Sequence, residues 1–271
     1  MNGPVLIDGQ FRIDAYAPAE IAARVESSGV SKVNLPILQT LVLGILAGAF
    51  IAFGAMFYTL VITDNGLGFG LSRLVGGIAF SLGLILVVIG GAELFTGNSL
   101  IVIGWADGKI TSKKLLRNWF WVYIGNFIGA GVMAGMVSLS GVMDAGGGAV
   151  AKTAISIAQT KMAIPSIEAF LRGILCNVLV CLAVWLCFAA HTVSGKILSI
   201  VFPISAFVAL GFEHSVANMY LIPVGYLAGA AGVSIDGFIA NLIPVTLGNI
   251  AGGGVLVALI YWIVYLRKPE Q

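Results

Sequence analysis

Charge is scarce in this chain. Of 271 residues only 10% are Asp, Glu, Lys or Arg, against 59% hydrophobic residues, and the mean hydropathy is +1.04. Soluble domains carry roughly a quarter charged residues, so a water-soluble fold is excluded and a polytopic membrane protein is indicated. A net charge of +2 leaves no basic surface for nucleic acid. Histidine occurs twice and cysteine three times. Cys176, Cys181 and Cys187 share one apolar stretch without the spacing of a zinc or redox motif, so they read as small packing residues. No His/Cys/Asp cluster suggests a metal, and no cofactor motif is present. Met1 to Lys32 contains no apolar run of a signal peptide, so the first membrane helix is expected to direct insertion.

What is abundant is long apolar sequence. A short amphipathic segment, 14–32, precedes a first span at about 35–62. The second apolar region, about 71–105, exceeds the ~20 residues one helix needs to cross a bilayer, and so does the fifth, about 197–227. The third, fourth and sixth spans fall at about 119–142, 165–190 and 238–266. Residues 107–117 read as a polar loop, and 143–163 as a Gly-rich connection between halves. The expected fold is all-α, with six transmembrane helices of which the second and fifth are broken.

Both overlong regions contain the pattern G-x-E-x-x-x-x-N. The copies are Gly91-Ala92-Glu93-Leu94-Phe95-Thr96-Gly97-Asn98 and Gly211-Phe212-Glu213-His214-Ser215-Val216-Ala217-Asn218. A glutamate at mid-bilayer costs several kcal/mol unless paired or hydrated, and paired broken helices are the best sequence pointer to a transport site. Gly125-Asn126 in the third span matches Gly248-Asn249 in the sixth, and Gly44-Ile45-Leu46 matches Gly173-Ile174-Leu175. The offsets are 120 for the breaks, 123 for the third and sixth spans, and 129 for the first and fourth. Similar offsets in preserved order predict a duplication. Three spans per half make the two repeats inverted in the membrane.

Lys and Arg set the orientation. Arg12, Arg24, Lys32, Lys109, Lys113, Lys114, Arg117, Lys196, Arg267 and Lys268 fall on one side, and only Arg73, Lys152 and Lys161 on the other. Both termini are therefore expected in the cytoplasm. The division is 1–34 as a cytoplasmic amphipathic segment, 35–266 as the channel domain, with repeats at about 35–142 and 165–266, and 267–271 as a cytoplasmic tail.

His214 is the mid-membrane histidine, and an ordinary pKa of about 6.5 lets imidazole exchange protons near neutrality. Thr96, at the matching break, offers a hydroxyl that can donate or accept. Asn177 and Asn218 are amides that can bond His214, each other or a solute. Glu93 and Glu213 are expected to accept backbone N–H groups freed at the breaks, and Asn98 and Asn218 to pin the same backbone. Asn126 and Asn249 are expected to bond between helices. Lys161, just before Pro165, is expected at a vestibule mouth, where positive charge attracts anions. Phe80, Leu84, Leu94, Phe95, Val180 and Phe207 are candidates for apolar constrictions.

The two break motifs, together with Gly173-Ile174-Leu175-Cys176-Asn177-Val178-Leu179-Val180-Cys181-Leu182-Ala183 and Met219, resemble the formate/nitrite transporter family from about Ala15 onward. The resemblance implies an aquaporin-like fold in the cytoplasmic (inner) membrane. It also implies a homopentamer with one pore per subunit, no cofactor and no catalytic residue. His214 is similar to the family's central pore histidine, Thr96 to its mobile-loop threonine, Lys161 to its vestibule lysine and Asn177 to its pore asparagine. The constriction candidates match the family's constriction positions. Ile167-Glu168-Ala169-Phe170, Leu221-Ile222-Pro223 and Leu242-Ile243-Pro244-Val245-Thr246-Leu247-Gly248-Asn249 resemble the formate members. Thr96-Gly97-Asn98 resembles the nitrite and hydrosulfide members. The expected function is a channel for small monovalent anions, formate first, proton-coupled through the histidine, with nitrite or hydrosulfide as the alternative. A more remote reading, an intramembrane enzyme using Glu213 and His214, would need a nucleophile or metal beside the pair, and the sequence supplies neither.

Overall fold

The computed structural model describes residues 15–267. Met1–Asp14, which begin the amphipathic segment and include Arg12, lie outside the described residues, as does the tail beyond Arg267 with Lys268.

Among the described residues all regular structure is helical. In chain order the helices are α1 (Pro18–Val33), α2 (Ile37–Ile62), α3 (Phe69–Gly90) and α4 (Val102–Ala106), the last preceded by a 3-10 turn, Gly97–Ile101. There follow α5 (Ser112–Leu139), α6 (Ala145–Met162), α7 (Ser166–Ala189), α8 (Val193–Leu210) and α9 (Ser215–Leu227). Helix α10 spans Ile235–Tyr265 and contains a π-helical stretch, Ala251–Leu259. Six helices, α2, α3, α5, α7, α8 and α10, are long and apolar enough to cross a membrane.

Two parts of the sequence reading are corrected. The span expected at 119–142 begins at Ser112, because the Thr111 hydroxyl accepts the Lys114 N–H and caps the helix. Lys113, Lys114 and Arg117 thus ride the first turns of a helix, where their charge had read as loop. The connection at 143–163 is mostly helix α6. Its start holds three glycines at positive φ, Gly146, Gly147 and Gly148, and regular helix follows from Ala149.

The halves pack alike. Helix α2 lies against α5, and α7 against α10, close enough that a Cβ on Gly129 would overlap the Ile45 carbonyl and one on Gly252 would overlap that of Ile174. Those two contacts are related by the offsets found in sequence. Small residues at such seams let backbones approach where lipid supplies no hydrophobic drive between helices. Helices α3 and α8 end in the same way, with Gly91 and Gly211 in the left-handed conformation at φ 80° and 74°. Glycine takes that conformation without the penalty a Cβ brings. After each glycine the chain runs irregularly for a few residues and then starts a new short helix inside the protein.

Candidate functional site

Irregular backbone at membrane depth must find hydrogen-bond partners within the protein. Here two asparagines are among the partners. Asn126 Oδ1 accepts the Phe95 N–H at 2.9 Å, and its Nδ2 donates to the carbonyls of Gly44 and Glu93. Asn249 Oδ1 accepts the Ser215 N–H at 2.9 Å, and its Nδ2 donates to Gly173 and Glu213. Each amide staples one break to its neighbouring helices, contact for contact.

The glutamates do something other than expected. Glu93 is 2.7 Å from Lys32 Nζ and Glu213 is 2.8 Å from Lys161 Nζ. Asn98 Nδ2 donates to Glu93 and to Asn118 Oδ1, while Asn218 Nδ2 donates to Glu213 and to Asn241 Oδ1. Asn118 and Asn241 then donate to the carbonyls of Lys32 and Lys161. Each carboxylate therefore closes a ring of one lysine and two asparagines. Of the freed amides, those of Phe95 and Ser215 go to Asn126 and Asn249, and those of Glu93 and Glu213 go to the carbonyls of Leu43 and Arg172. Asn98 and Asn218 hold the carboxylates rather than the backbone. A buried ion pair is tolerable only when its remaining lone pairs are satisfied, and these rings supply that.

Lys32 is not among the site residues the sequence suggests, where it counts only with the charges of the cytoplasmic side. The signal was present: Lys32-x-x-x-Pro36 and Lys161-x-x-x-Pro165 share the offset of 129 that relates Gly44 to Gly173. Helix α1 thus holds Lys32 against Glu93 as α6 holds Lys161 against Glu213.

Two separate cavities approach the breaks. One, of about 550 Å³, is lined by Arg73, Phe80, Lys161, Phe207, Glu213 and His214 among others. The other, of about 300 Å³, is lined by Lys32, Leu84, Glu93, Leu94 and Asn98 among others. His214 is on the wall of the larger cavity, and Thr96, which lines neither, bonds to it from behind, with Oγ1 2.9 Å from His214 Nε2. Both residues are buried. His214 Nδ1 caps α9 by accepting the Ala217 N–H at 3.0 Å. A ring nitrogen that accepts carries no hydrogen, so the neutral ring bears its proton on Nε2 and donates to Thr96.

The remaining candidates divide. Phe207 stacks on the His214 ring at 5.9 Å and meets Phe80 edge-on at 5.6 Å, so these two narrow the larger cavity toward the histidine. Leu84 and Leu94 line the smaller one. Phe95 and Val180 line neither. Phe95 packs its edge against Trp119 and Tyr123, and Val180 is 1% exposed in the core. Asn177 donates to the carbonyls of Thr96 and Asn249 and to Ser99 Oγ. Its Oδ1 is buried with no partner. Asn177 thus braces the Thr96 loop against the π-helical stretch of α10. A Cβ on Gly253 would stand 2.5 Å from its Nδ2 and 2.6 Å from Cys181 Sγ, so only glycine allows that bracing. No group of three or more potential metal ligands forms among the described residues.

A sequence model of the formate/nitrite transporters matches residues 19–263 of this chain. The chain belongs to that family. It is 42% identical to the formate channel FocA of Escherichia coli (strain K12), an alignment covering 95% of this chain and 97% of that protein. A solved pentameric formate channel with formate bound is 41% identical, covers 85% of this chain and 98% of its own, and superposes with a TM-score of 0.80. An FNT family ion channel at 29% identity superposes with a TM-score of 0.83 over 90% of this chain and 98% of its own. Formate/nitrite transporters share an aquaporin-like, all-helical fold and are a class of transporters, not of enzymes. Membership of a transporter class removes the intramembrane-enzyme reading of Glu213 and His214 in this formate/nitrite transporter.

Proposed function

We propose that the protein is a membrane channel for small monovalent anions, with formate as its first substrate, working as a homopentamer with one pore per subunit. The observation that carries this reading is the buried Thr96–His214 hydrogen bond, with His214 on the wall of one cavity and Gly97 and Asn98, next to Thr96, on the wall of the other. The names of its relatives, a formate channel and a pentameric formate channel, support the substrate and the assembly. Many large apolar side chains are exposed along the six long helices, as a bilayer and neighbouring subunits require.

On this reading the chain is two inverted three-helix repeats, with the second and fifth membrane helices broken at 91–96 and 211–214. Residues 1–34 and 267–271 are cytoplasmic, and 35–266 form the channel domain. The cavity at Lys32 then opens to the cytoplasm and the one at Lys161 to the outside of the inner membrane.

An anion entering from either side loses its hydration at the apolar constrictions, a cost of several kcal/mol. Two features offset it. The short helices after both breaks begin near the Thr96–His214 contact, and helix N-termini present partial positive charge and free N–H groups. His214 Nε2–H is a fixed donor whose present acceptor, the Thr96 hydroxyl, a carboxylate oxygen can replace. Asn177 Oδ1 supplies an unused acceptor for a protonated acid. Proton coupling arises when the substrate crosses as the neutral acid. Full proton donation by the ring would require Nδ1 to release the Ala217 N–H and take a proton itself.

Proteoliposome flux with formate, nitrite and hydrosulfide tests the reading. Formate uptake should exceed both others and rise as external pH falls. Formate flux equal to that of empty liposomes would defeat it. The Thr96-Gly97-Asn98 motif favours the second reading, and dominant nitrite or hydrosulfide flux would select that instead.

A further inference from the structure

The two mouths differ in the charge they leave free. Among the described residues, the only charged side chains of the smaller cavity are Lys32 and Glu93, and they pair. In the larger cavity Lys161 is held by Glu213 at 2.8 Å. Arg172 is held by Glu168 at 3.1 Å. Lys161 therefore contributes little net charge to the field of its own mouth. Arg73 lines the same cavity, is half-buried, and has no carboxylate within ion-pair distance among the described residues. Asp64, the remaining acid on the wall, makes no ion pair with it.

The guanidinium also sits at a particular place. It lies 5.1 Å from the Phe69 ring centroid. A Cβ built on Gly211, the glycine that ends α8, would stand 3.3 Å from its Nη1 and 3.9 Å from its Nη2. At the matching glycine, Gly91, nothing lies within 4 Å. The repeat-related position of Arg73 is Val193, by the offset of 120 that relates the breaks. Arg73 is thus a guanidinium without a counterpart in the other half, beside the break that bears His214; Arg172 on the same wall also has none, Leu43 holding that place, but Glu168 pairs with it.

We propose that Arg73 is the capture residue of the Lys161 mouth, and that its guanidinium favours planar anions with two oxygens, formate and nitrite, over a single-atom donor such as hydrosulfide. The rigid fork of donors matches two carboxylate oxygens at once. A positive charge in a low-dielectric cleft concentrates anions at its mouth. This rests on the reading of the chain as an anion channel.

The test is uptake by proteoliposomes of known protein orientation, with the wild-type protein, Arg73→Gln and Arg73→Lys, across a series of salt concentrations. For Arg73→Gln the half-saturating formate concentration at the Lys161 mouth should rise about three- to tenfold, within the range that focused charge produces. The maximal rate should hold, and the dependence on salt should flatten. Entry from the Lys32 mouth should not change. Arg73→Lys keeps the charge and loses the fork, so it should weaken formate and nitrite by about twofold or more while leaving hydrosulfide as in wild type. A wild type that conducts, with Arg73→Gln unchanged in half-saturation and salt dependence, would overturn the proposal and leave the channel reading standing. An equal rise from both mouths would also overturn it, because a local capture site acts on one side. Equal losses of formate and hydrosulfide in Arg73→Lys would overturn the preference for two-oxygen anions. A wild type without any anion flux would defeat the channel reading itself.

Discussion

The two halves of the molecule agree where the fold needs them to and differ where the anion passes. Lys32, Glu93, Asn98 and Asn118 in one half repeat as Lys161, Glu213, Asn218 and Asn241 in the other, and Asn126 repeats as Asn249. The position of His214, however, is Leu94 in the first half, and that of Thr96 is Val216 in the second. Arg73 faces Val193 across the same relation, and Glu26 on α1 faces Ile155 on α6. A repeated polar frame supplies hydrogen bonds at both irregular segments, and single residues that differ on that frame make its two sides chemically unlike.

The largest expected effect comes from breaking the rings unequally. Lys161 and Glu213 side chains are 14% and 4% exposed, whereas Lys32 and Glu93 are 29% and 8% exposed. Removing one partner of a buried pair costs about 3–5 kcal/mol. Lys161→Met should approach that loss in detergent unfolding, and Lys32→Met should lose less because water reaches its glutamate. Equal losses would mean that the halves are energetically as well as geometrically equivalent. Next is His214→Leu, which gives the second break the residue of the first. A positioned acid/base group contributes about a hundredfold or more, so proton-linked formate uptake should fall by that order. His214→Asn should lose flux equally while keeping the α9 cap, because asparagine is a good N-cap. Wild-type pH dependence in either variant would show that the difference between His214 and Leu94 is not what drives the pore.

The smallest effect concerns the first helix of each half. Glu26 lies in the face of α1 buried against the protein, and its carboxylate accepts from Lys109, which also contacts Asp107. Burial raises its pKa above the ordinary 4.5, although Lys109 pulls the other way and Asp107 adds to the rise. Asp107 is itself lowered, first by the Trp262 indole N–H, and Lys109 is raised by Glu26. A raised carboxyl contributes most when protonated, so docking of α1 should be firmest at low pH and loosen as pH rises through the raised value. Hydrogen exchange of α1 across that window should show it. Glu26→Gln should flatten the profile, and α6, with Ile155 in that place, should show no such dependence.

Much of the fold was legible because the membrane enforces it. Scarcity of charge marked the spans, excess length marked the breaks, and the charged pattern repeat located Glu93 and Glu213. The partners of those glutamates were not legible, since they lie 61 and 52 residues away in sequence and lysine at a membrane edge looks the same whether solvated or paired. Helix α6 was hidden by its three leading glycines and polar residues, and the start of α5 by three cations in its first turns. His214 and Thr96 stood out as candidates because one is a titratable group and the other a hydroxyl at matched breaks. Their mutual contact, across 118 residues, is a property of the folded chain alone.

The cap that His214 places on α9 has a consequence for energy conservation in the membrane. An imidazole relays protons by receiving one on one nitrogen and releasing another from the opposite nitrogen. With Nδ1 committed to the Ala217 N–H, the ring has a single working face: it donates a hydrogen bond from Nε2, but held this way it cannot pass a proton from one nitrogen to the other. On the proposed reading a proton would then cross only together with its substrate, one per molecule of neutral acid, and not as a free ion.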